Sequence, residues 1–308
     1  MTDETLISVC VCTFRRQSLA ETLRSLARQA VPPRHRVAVV VADNDTGPSA
    51  RDLANRIAAE CGLDLTYVHA PAGNISIARN AALRLATGDW LAFIDDDEEA
   101  GEGWLSALIA AADREGADIV LGPVLPVFDA GAPEWMKDGR FHAIFPTIRR
   151  GRVTAGYTSN ALVRASILRE AGLEFDPALG RSGGEDTAFF DTLIGRGARI
   201  CFAPEAVVSE RVPPERARLG WLLRRRYRSG QTHGMILLRG SHGPVSRSGQ
   251  VLLALTKAGV SAAGFVLSAF SPRQRAFWLL RASLHLGVVS RLLGQAEILQ
   301  YGQTGPEG

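Results

Sequence analysis

One stretch constrains this chain more than any other: Asp89-Trp90-Leu91-Ala92-Phe93-Ile94-Asp95-Asp96-Asp97-Glu98-Glu99. Leu91–Ile94 is a short apolar run bounded by Gly88, and such a run predicts a buried strand. It stops in five consecutive acids. A strand covered on both faces and ending in carboxylates delivers oxygen ligands to the C-terminal edge of a sheet, where open α/β folds bind ligands. Like charges packed together cost energy unless a cation or protons neutralise them. Glu98, Glu99 and Glu102 read as a solvated acidic turn entering a helix N-terminus, where acids favour the dipole. Asp95, Asp96 and Asp97, flush against the strand end, read as a site for a hard divalent cation.

The preceding sequence supplies the rest of a sheet. Leu6–Thr13, Val37–Ala42 and Leu65–His69 are strand-like, and each is followed by a segment with helical apolar spacing. Leu19, Leu23 and Leu26 share one face of the first helix; Ile77, Ala81 and Leu85 share one face of the third. This alternation with short connections predicts a parallel sheet flanked by helices. Further on, Trp104–Ala112 is helical, Ile119–Leu121 a strand, Ser159–Val163 a strand, and Gly183-Gly184-Glu185-Asp186 opens a helix before a last strand at Arg199–Phe202. From Pro123 to about Thr154 periodicity fails, and the segment reads as a substrate-side loop.

Strand ends place polar groups on one edge: Thr13 with Arg15, then Asp43, then Asp95 to Asp97. A nucleotide suits this set, since an Asp accepts from a base N–H, an Arg contacts a phosphate and a cation bridges a diphosphate. No GxGxxG follows the first strand and no GxxxxGK[ST] occurs, which argues against dinucleotide and P-loop sites. Glu185-Asp186 by themselves read as first-turn acids that cap a helix.

Five segments occur together and in order: Val9-Cys10-Val11-Cys12-Thr13-Phe14-Arg15, Val41-Ala42-Asp43-Asn44, Ile77-Ala78-Arg79-Asn80-Ala81-Ala82, Phe93-Ile94-Asp95-Asp96-Asp97-Glu98 and Gly183-Gly184-Glu185-Asp186. Across about residues 6–235 the chain thereby resembles glycosyltransferase family 2, the inverting enzymes of GT-A fold, in particular the bacterial surface-polysaccharide branch. The resemblance implies a Rossmann-like, mostly parallel α/β sheet and a Mg2+ or Mn2+ cofactor. It also implies a UDP-, GDP- or dTDP-sugar donor and a saccharide or lipid-linked acceptor. It implies that Thr13, Arg15, Asp43 and Arg79 bind the donor, that Asp95 and Asp96 contact ribose and metal, and that Asp97 is the main metal ligand. Asp186, beside Glu185, would be the base that deprotonates the acceptor hydroxyl. Many members carry a His after the last strand; here the region reads Val207-Val208-Ser209-Glu210-Arg211, with Glu210 as the substitute oxygen ligand. A sugar-nucleotide nucleotidyltransferase needs a glycine-rich loop after the first strand, where this chain has Thr13-Phe14-Arg15-Arg16-Gln17. A non-catalytic membrane-surface adaptor with a structural cation would not need Glu185-Asp186.

Charge divides the chain. Residues 1–208 hold 21 Lys+Arg and 28 Asp+Glu, whereas residues 209–308 hold 14 and 4, so the tail is expected to meet an anionic surface. The expected organisation is a catalytic domain at 1–235, with a nucleotide-sugar half (1–122) and an acceptor half (123–235), then a membrane-associating helical region at 236–308. Arg224, Arg225, Arg226 and Arg228 form a basic cluster; it reads either as a solvated face or, through Arg225 and Arg228 one turn apart, as a phosphate contact. The acidic body and the lack of interleaved aromatics argue against nucleic acid. Val251–Phe270 is apolar except for Lys257 and a few Ser and Thr, and Phe277–Leu299 is a second, more polar helix. They read as a bundle on the catalytic domain or, as favoured here, as a monotopic attachment to the cytosolic face of the inner membrane. The N-terminus lacks a basic, apolar leader, so the body is expected in the cytoplasm. The four scattered Cys read as small core residues and the six His as structural or surface.

Overall fold

The computed structural model describes residues 4–240 and 244–299; the remainder of the expected 236–308 region lies outside the described residues. In chain order, β1 (Thr5–Thr13), α1 (Leu19–Ala27), β2 (His35–Asp43), α2 (Arg51–Cys61), β3 (Leu65–His69), α3 (Ile75–Leu85) and β4 (Trp90–Ile94) alternate as the sequence predicts. β5 (Glu98–Ala100), α4 (Trp104–Glu115), β6 (Ile119–Leu121), β7 (Val124–Phe128), α5 (Glu134–Gly139), β8 (Thr147–Arg149), β9 (Arg152–Ala155) and β10 (Asn160–Arg164) follow. Then come α6 (Ala165–Ala171), α7 (Glu185–Gly195), β11 (Ile200–Phe202), β12 (Val208–Val212) and the long helices α8 (Leu219–Gly240), α9 (Pro244–Leu267) and α10 (Pro272–Leu292).

Seven strands form the main sheet in the order β11-β6-β10-β4-β1-β2-β3. β1 runs parallel to β2 and β4, β2 to β3 and β11 to β6; β10 is antiparallel to both its neighbours. Strand alternation sorts the core into two layers. Ile7, Val9 and Val11 join Trp90, Ala92 and Ile94 on the face covered by α1 and α4. Cys10 joins Leu91 and Phe93 on the face covered by α3 and α7. A central strand with apolar side chains on both faces has no solvent side, which is why these strands read as continuous apolar runs. All four cysteines are free.

The described chain packs as two compact units, one of residues 4–125 and 144–210, the other of 126–143 and 211–299. The second unit thus takes in 211–235, residues that the sequence reading places in the catalytic domain. The first unit holds the main sheet. In the second, Met136, Phe141, Leu222, Ala276 and Leu280 form one apolar cluster, and Ala254, Val288, Val289 and Leu292 form another.

Two expectations change. The 123–154 segment is not a bare loop: it contains β7, α5, β8 and β9, elements of three to six residues that are too short to register as periodicity. Within it, Trp135 and Phe141 pack in the apolar cluster of the second unit, and Phe145 is exposed. Glu98 is not solvated either. It lies buried in β5, opposite Glu210 of β12, while Glu99 and Glu102 are exposed as expected.

Candidate active site

Helix α3 organises the site. Asn74 caps it by accepting the Ile77 N–H (3.3 Å), and the Asn74 N–H donates to the Asn44 side chain beyond β2 (3.0 Å). The other side of α3 ties down the approach to α7. Asn74 Nδ2 donates to the Pro177 carbonyl, Ser76 Oγ donates to the Asp176 carbonyl, and Asn80 exchanges two hydrogen bonds with the Phe175 backbone (both 2.8 Å). The chain then turns at Gly183 and Gly184, both with positive φ (87° and 94°), a conformation costly for any residue with a Cβ. Glu185 thus becomes the first residue of α7 and lies against Arg79.

Arg79 is the hinge of the arrangement. It is buried; one guanidinium nitrogen binds Glu185 Oε1, and another lies 3.8 Å from Asp95 Oδ1. The guanidinium also sits over the Phe175 ring, 5.5 Å from its centroid. Glu185 is 2% exposed, and its Oε2 has no hydrogen-bond partner among the described residues. Burial, reinforced by the charge of Asp186 and opposed by Arg79, pushes its pKa up to about 7. Asp186 is only half-buried; its Oδ1 accepts from the Thr187 N–H (2.6 Å) and hydroxyl (3.2 Å).

Carrying the alternation of β4 one step past its end explains how the acids part. Asp95 continues the Leu91–Phe93 side and meets Arg79; Asp96 continues the Trp90–Ile94 side and meets the loop after β1. There Asp96 Oδ2 accepts the Phe14 N–H (3.3 Å), and Arg16 reaches Asp96 (3.5 Å) and Asp97 (2.7 Å). Glu98 folds back to accept the Asp95 N–H (2.8 Å). Desolvation, then the charge of Asp97, raises the Asp96 pKa to about 7. Desolvation, opposed by Arg79 and reinforced by Asp97 and Asp186, raises Asp95 to about 6. Glu98 is pushed well above the usual range, first by burial and then by Asp95.

Among the described residues no three His, Cys, Asp or Glu side chains form a ready-made metal cluster. Arg16 bridges Asp96 and Asp97, and Glu98 is turned onto the Asp95 N–H. The donors nevertheless suit a hard cation. They are all carboxylate oxygens, and burial, reinforced by the neighbouring carboxylate Asp97, raises the pKa of Asp95 and Asp96. Glu210, across the β5–β12 pairing from Glu98, adds to the charge that keeps the Arg16 pKa raised against its burial.

At the neighbouring strand ends, Thr13 is buried and its carbonyl accepts the Asn44 N–H (2.9 Å). Asp43 lies deeper than the sequence suggests. It is fully buried, with Oδ1 taken by the Asp45 N–H (3.0 Å) and Oδ2 by the Ala50 N–H and the Tyr67 hydroxyl (both 2.8 Å). Its burial, more than its three donors, keeps a base edge from reaching it directly. Arg15, at a left-handed φ of 56°, makes a two-pronged contact with Asp45 (both 2.8 Å). The Arg15 hydrogen bond leads the causes that hold the Asp45 pKa down at about 2. Arg225 and Arg228 lie on α8 in the second unit, with the Arg225 guanidinium 5.3 Å from the Trp221 ring centroid. Sequence reading missed Arg16 and Asp45. Both are charged residues next to ones that were singled out, inside turns whose side-chain directions no periodicity reveals.

The sequence model described as "Glycosyl transferase family 2" matches residues 8–172. The succinoglycan biosynthesis protein ExoM of Rhizobium meliloti (strain 1021) is 49% identical over 303 residues, 98% of each chain. The chain belongs to glycosyltransferase family 2. Like the other members, it is a sugar-transferring enzyme, which sets aside the nucleotidyltransferase and adaptor readings. The glucosyl-dolichyl phosphate glucuronosyltransferase of Haloferax volcanii is a more distant relative, 27% identical over 73% of this chain and 75% of its own. Among solved structures, the mannosyltransferase PcManGT from Pyrobaculum calidifontis, in complex with GDP-Man and Mn2+, aligns with a TM-score of 0.64. It is 21% identical, over 94% of this chain and 88% of that one. TarS 1-349 of S. aureus, in complex with UDP-GlcNAc, aligns with a TM-score of 0.54 at 17% identity over 98% of each. These likenesses establish the GT-A fold.

Proposed function

We propose that this family 2 enzyme is a metal-dependent, inverting glycosyltransferase that moves a sugar from a nucleotide-sugar to a hydroxyl of a saccharide or lipid-linked saccharide during surface-polysaccharide synthesis. The observation that carries the reading is Arg79. It lies 3.8 Å from Asp95, just after β4, and pairs with Glu185 at the start of α7, beside Asp186, which supports a leaving-group site and a base adjoining on one sheet edge. The names of the relatives supply the context: succinoglycan biosynthesis for one, GDP-Man with Mn2+ or UDP-GlcNAc in the structures of others.

Asp95 and Asp97, with Glu210 as the substitute oxygen ligand, would hold a Mg2+ or Mn2+ ion, which supplies positive charge to the departing diphosphate. Thr13, Arg15, Asp43, Arg79, Asp95 and Asp96 are the proposed donor contacts, Asp43 through the loop it braces. Arg225 and Arg228 are proposed phosphate contacts on the strength of the sequence. Asp186 is assigned as the base: Glu185 is buried and committed to Arg79, whereas Asp186 is half-exposed. The acceptor proton passes to the Asp186 carboxylate as the acceptor oxygen bonds to the anomeric carbon. The bond from that carbon to the diphosphate oxygen breaks, and the nucleoside diphosphate leaves with the electron pair. Attack opposite the leaving group inverts the anomeric centre. The 236–308 region is proposed to associate with the cytosolic face of the inner membrane, where a lipid-linked acceptor would be concentrated.

A donor panel tests the reading. Nucleoside-diphosphate release is measured for UDP-, GDP- and dTDP-sugars with Mg2+ or Mn2+, with and without a membrane fraction as acceptor source. Acceptor-stimulated, cation-dependent release from one donor is expected; release unaffected by chelation overturns the metal role.

A further inference from the structure

Helix α9 has inverted polarity. Among the described residues, the deeply buried side chains of α9 and of the turn just after it are Ala254, Ser261 and Ser268, seven residues apart and therefore on one stripe. Ser261 and Ser268 turn their hydroxyls onto the Lys257 and Gly264 carbonyls, so the packed side is narrow and small. Its large apolar side chains point outward instead: Leu252 is 67% exposed, Val260 59%, Val266 70% and Leu267 85%, and Phe270 just beyond is fully exposed. A helix on a water-facing surface shows the opposite pattern. Residues 247–267 have a mean hydropathy of 1.6, enough in length and composition to cross a membrane.

Two further features say what covers this face. Lys257, the one charged residue in 251–270, follows Ala254 by three positions and precedes Ser261 by four, so it flanks the packed stripe. Its charge, after burial and Arg281, contributes to lowering the pKa of His285 in α10, consistent with a position on the α10 side. The outward arc carries no charge. Residues 216–296 hold 13 Lys or Arg and not one Asp or Glu, so a second copy seated here would meet like charge, whereas an anionic surface is complementary.

The packing also decides orientation. Gly264 lies so close to Trp278 of α10 that a Cβ would come within 2.4 Å of the ring, and Arg247 Nε donates to the Leu292 carbonyl (2.5 Å). α9 is thus fastened to α10 near both ends. α10 is in turn pressed on α8, where Gly287 meets the Tyr227 carbonyl and Gly230 the Leu284 carbonyl. α10 carries Arg273, Arg275, Arg281 and Arg291, so a spanning α9 would drag arginines into hydrocarbon. We propose that α9 lies in the plane of an anionic phospholipid surface, with Leu252, Leu253, Val260, Val266, Leu267 and Phe270 buried among the acyl chains. This deepens, and rests on, the membrane association proposed above.

Flotation of the full-length chain tests it, with no donor or acceptor present. Vesicles of phosphatidylethanolamine with phosphatidylglycerol are compared with phosphatidylcholine alone. The chain is expected to float with the anionic vesicles and, once bound, to remain partly bound in about 1 M salt. Leu253→Gln/Val260→Gln/Leu267→Gln alters only exposed positions; it should keep its unfolding midpoint and lose about 100-fold in partitioning. Equal flotation of parent and variant overturns the assignment. So does a parent that ignores vesicles and forms a dimer which the variant abolishes. A fluorophore at Ala263→Cys, with the four native cysteines replaced, should be quenched more by spin labels near the headgroup than at the chain ends; the reverse means that α9 spans. Sugar transfer to a membrane-fraction acceptor is measured separately. Transfer without vesicle binding would reject this surface and leave the enzymatic reading standing, and binding without transfer would do the opposite.

Discussion

Arg79→Met should destabilise the protein strongly and in a pH-dependent way. Arg79 and Glu185 are both nearly inaccessible, and removing one partner of a buried ion pair leaves an uncompensated charge, at a cost of about 3–5 kcal/mol. For a domain of this size each kcal/mol moves the melting temperature by about 2–4 °C, so a fall of about 6–20 °C is expected at alkaline pH. The sign follows from Glu185. Its pKa is raised from the ordinary 4.5 to about 7, so the folded state holds the proton more tightly than the unfolded chain. The stabilising contribution of that proton is complete below pH 4.5 and is lost as pH rises through about 7. Arg79 opposes the shift, so without it the carboxyl takes up its proton at still higher pH and the deficit is concentrated above neutrality. Asp95, the other partner, shifts in the same direction but is 42% exposed, so solvent screening keeps its share small. Thermal unfolding of the parent, Arg79→Met and Arg79→Met/Glu185→Gln at about pH 5 and pH 8.5 checks this. The single variant should lose much less at the acid pH, and the double variant should recover most of the alkaline loss. An equal loss at both pH values, or no rescue by Glu185→Gln, would refute the buried-pair argument.

Asp97→Asn should abolish Mn2+-dependent nucleotide binding, measured by titration with and without the metal; unchanged affinity and turnover would remove Asp97 from the cation site. Asp186→Asn should keep donor affinity while kcat falls about 10²- to 10⁴-fold, and retention of more than about a third of parental turnover excludes it as the base. Asn80→Ala breaks both hydrogen bonds to the Phe175 backbone and should cost about 1–3 kcal/mol in urea unfolding, with a lower kcat as the approach to α7 loosens; a wild-type midpoint would show that this tie does not position the site.

The motifs were legible because each sits inside one local element. The apolar run before Asp95 and the paired glycines before Glu185 announce their strand and helix without reference to anything distant. What joins those elements was not legible. Glu185 follows Arg79 by 106 residues, and their pairing depends on Asn74, Ser76 and Asn80 clasping residues 175–177, contacts between polar side chains and backbone that leave no periodic trace. Arg16 reads as part of a polar turn until the fold delivers Asp97 to it, 81 residues away. Asp43 reads as an open carboxylate at a strand end, but α2 and Tyr67 close over it.

By itself, then, the sequence determined the alternation of strands and helices from β1 to β4, the family and the edge on which the acids gather, because a repeat of two or about 3.6 residues and a run of like charge are local properties. Only the tertiary structure decided which carboxylates stay half-exposed and which are buried. Glu98 and Glu210 face one another because β5 and β12 pair, and Asp95 and Asp96 part because consecutive side chains leave a strand on opposite faces. The long-range contacts then raise the pKa values of Asp95, Asp96 and Glu98, since a carboxylate's pKa responds to its desolvation and to charges within a few ångströms, and neither its burial nor its distant partners can be read from the local sequence.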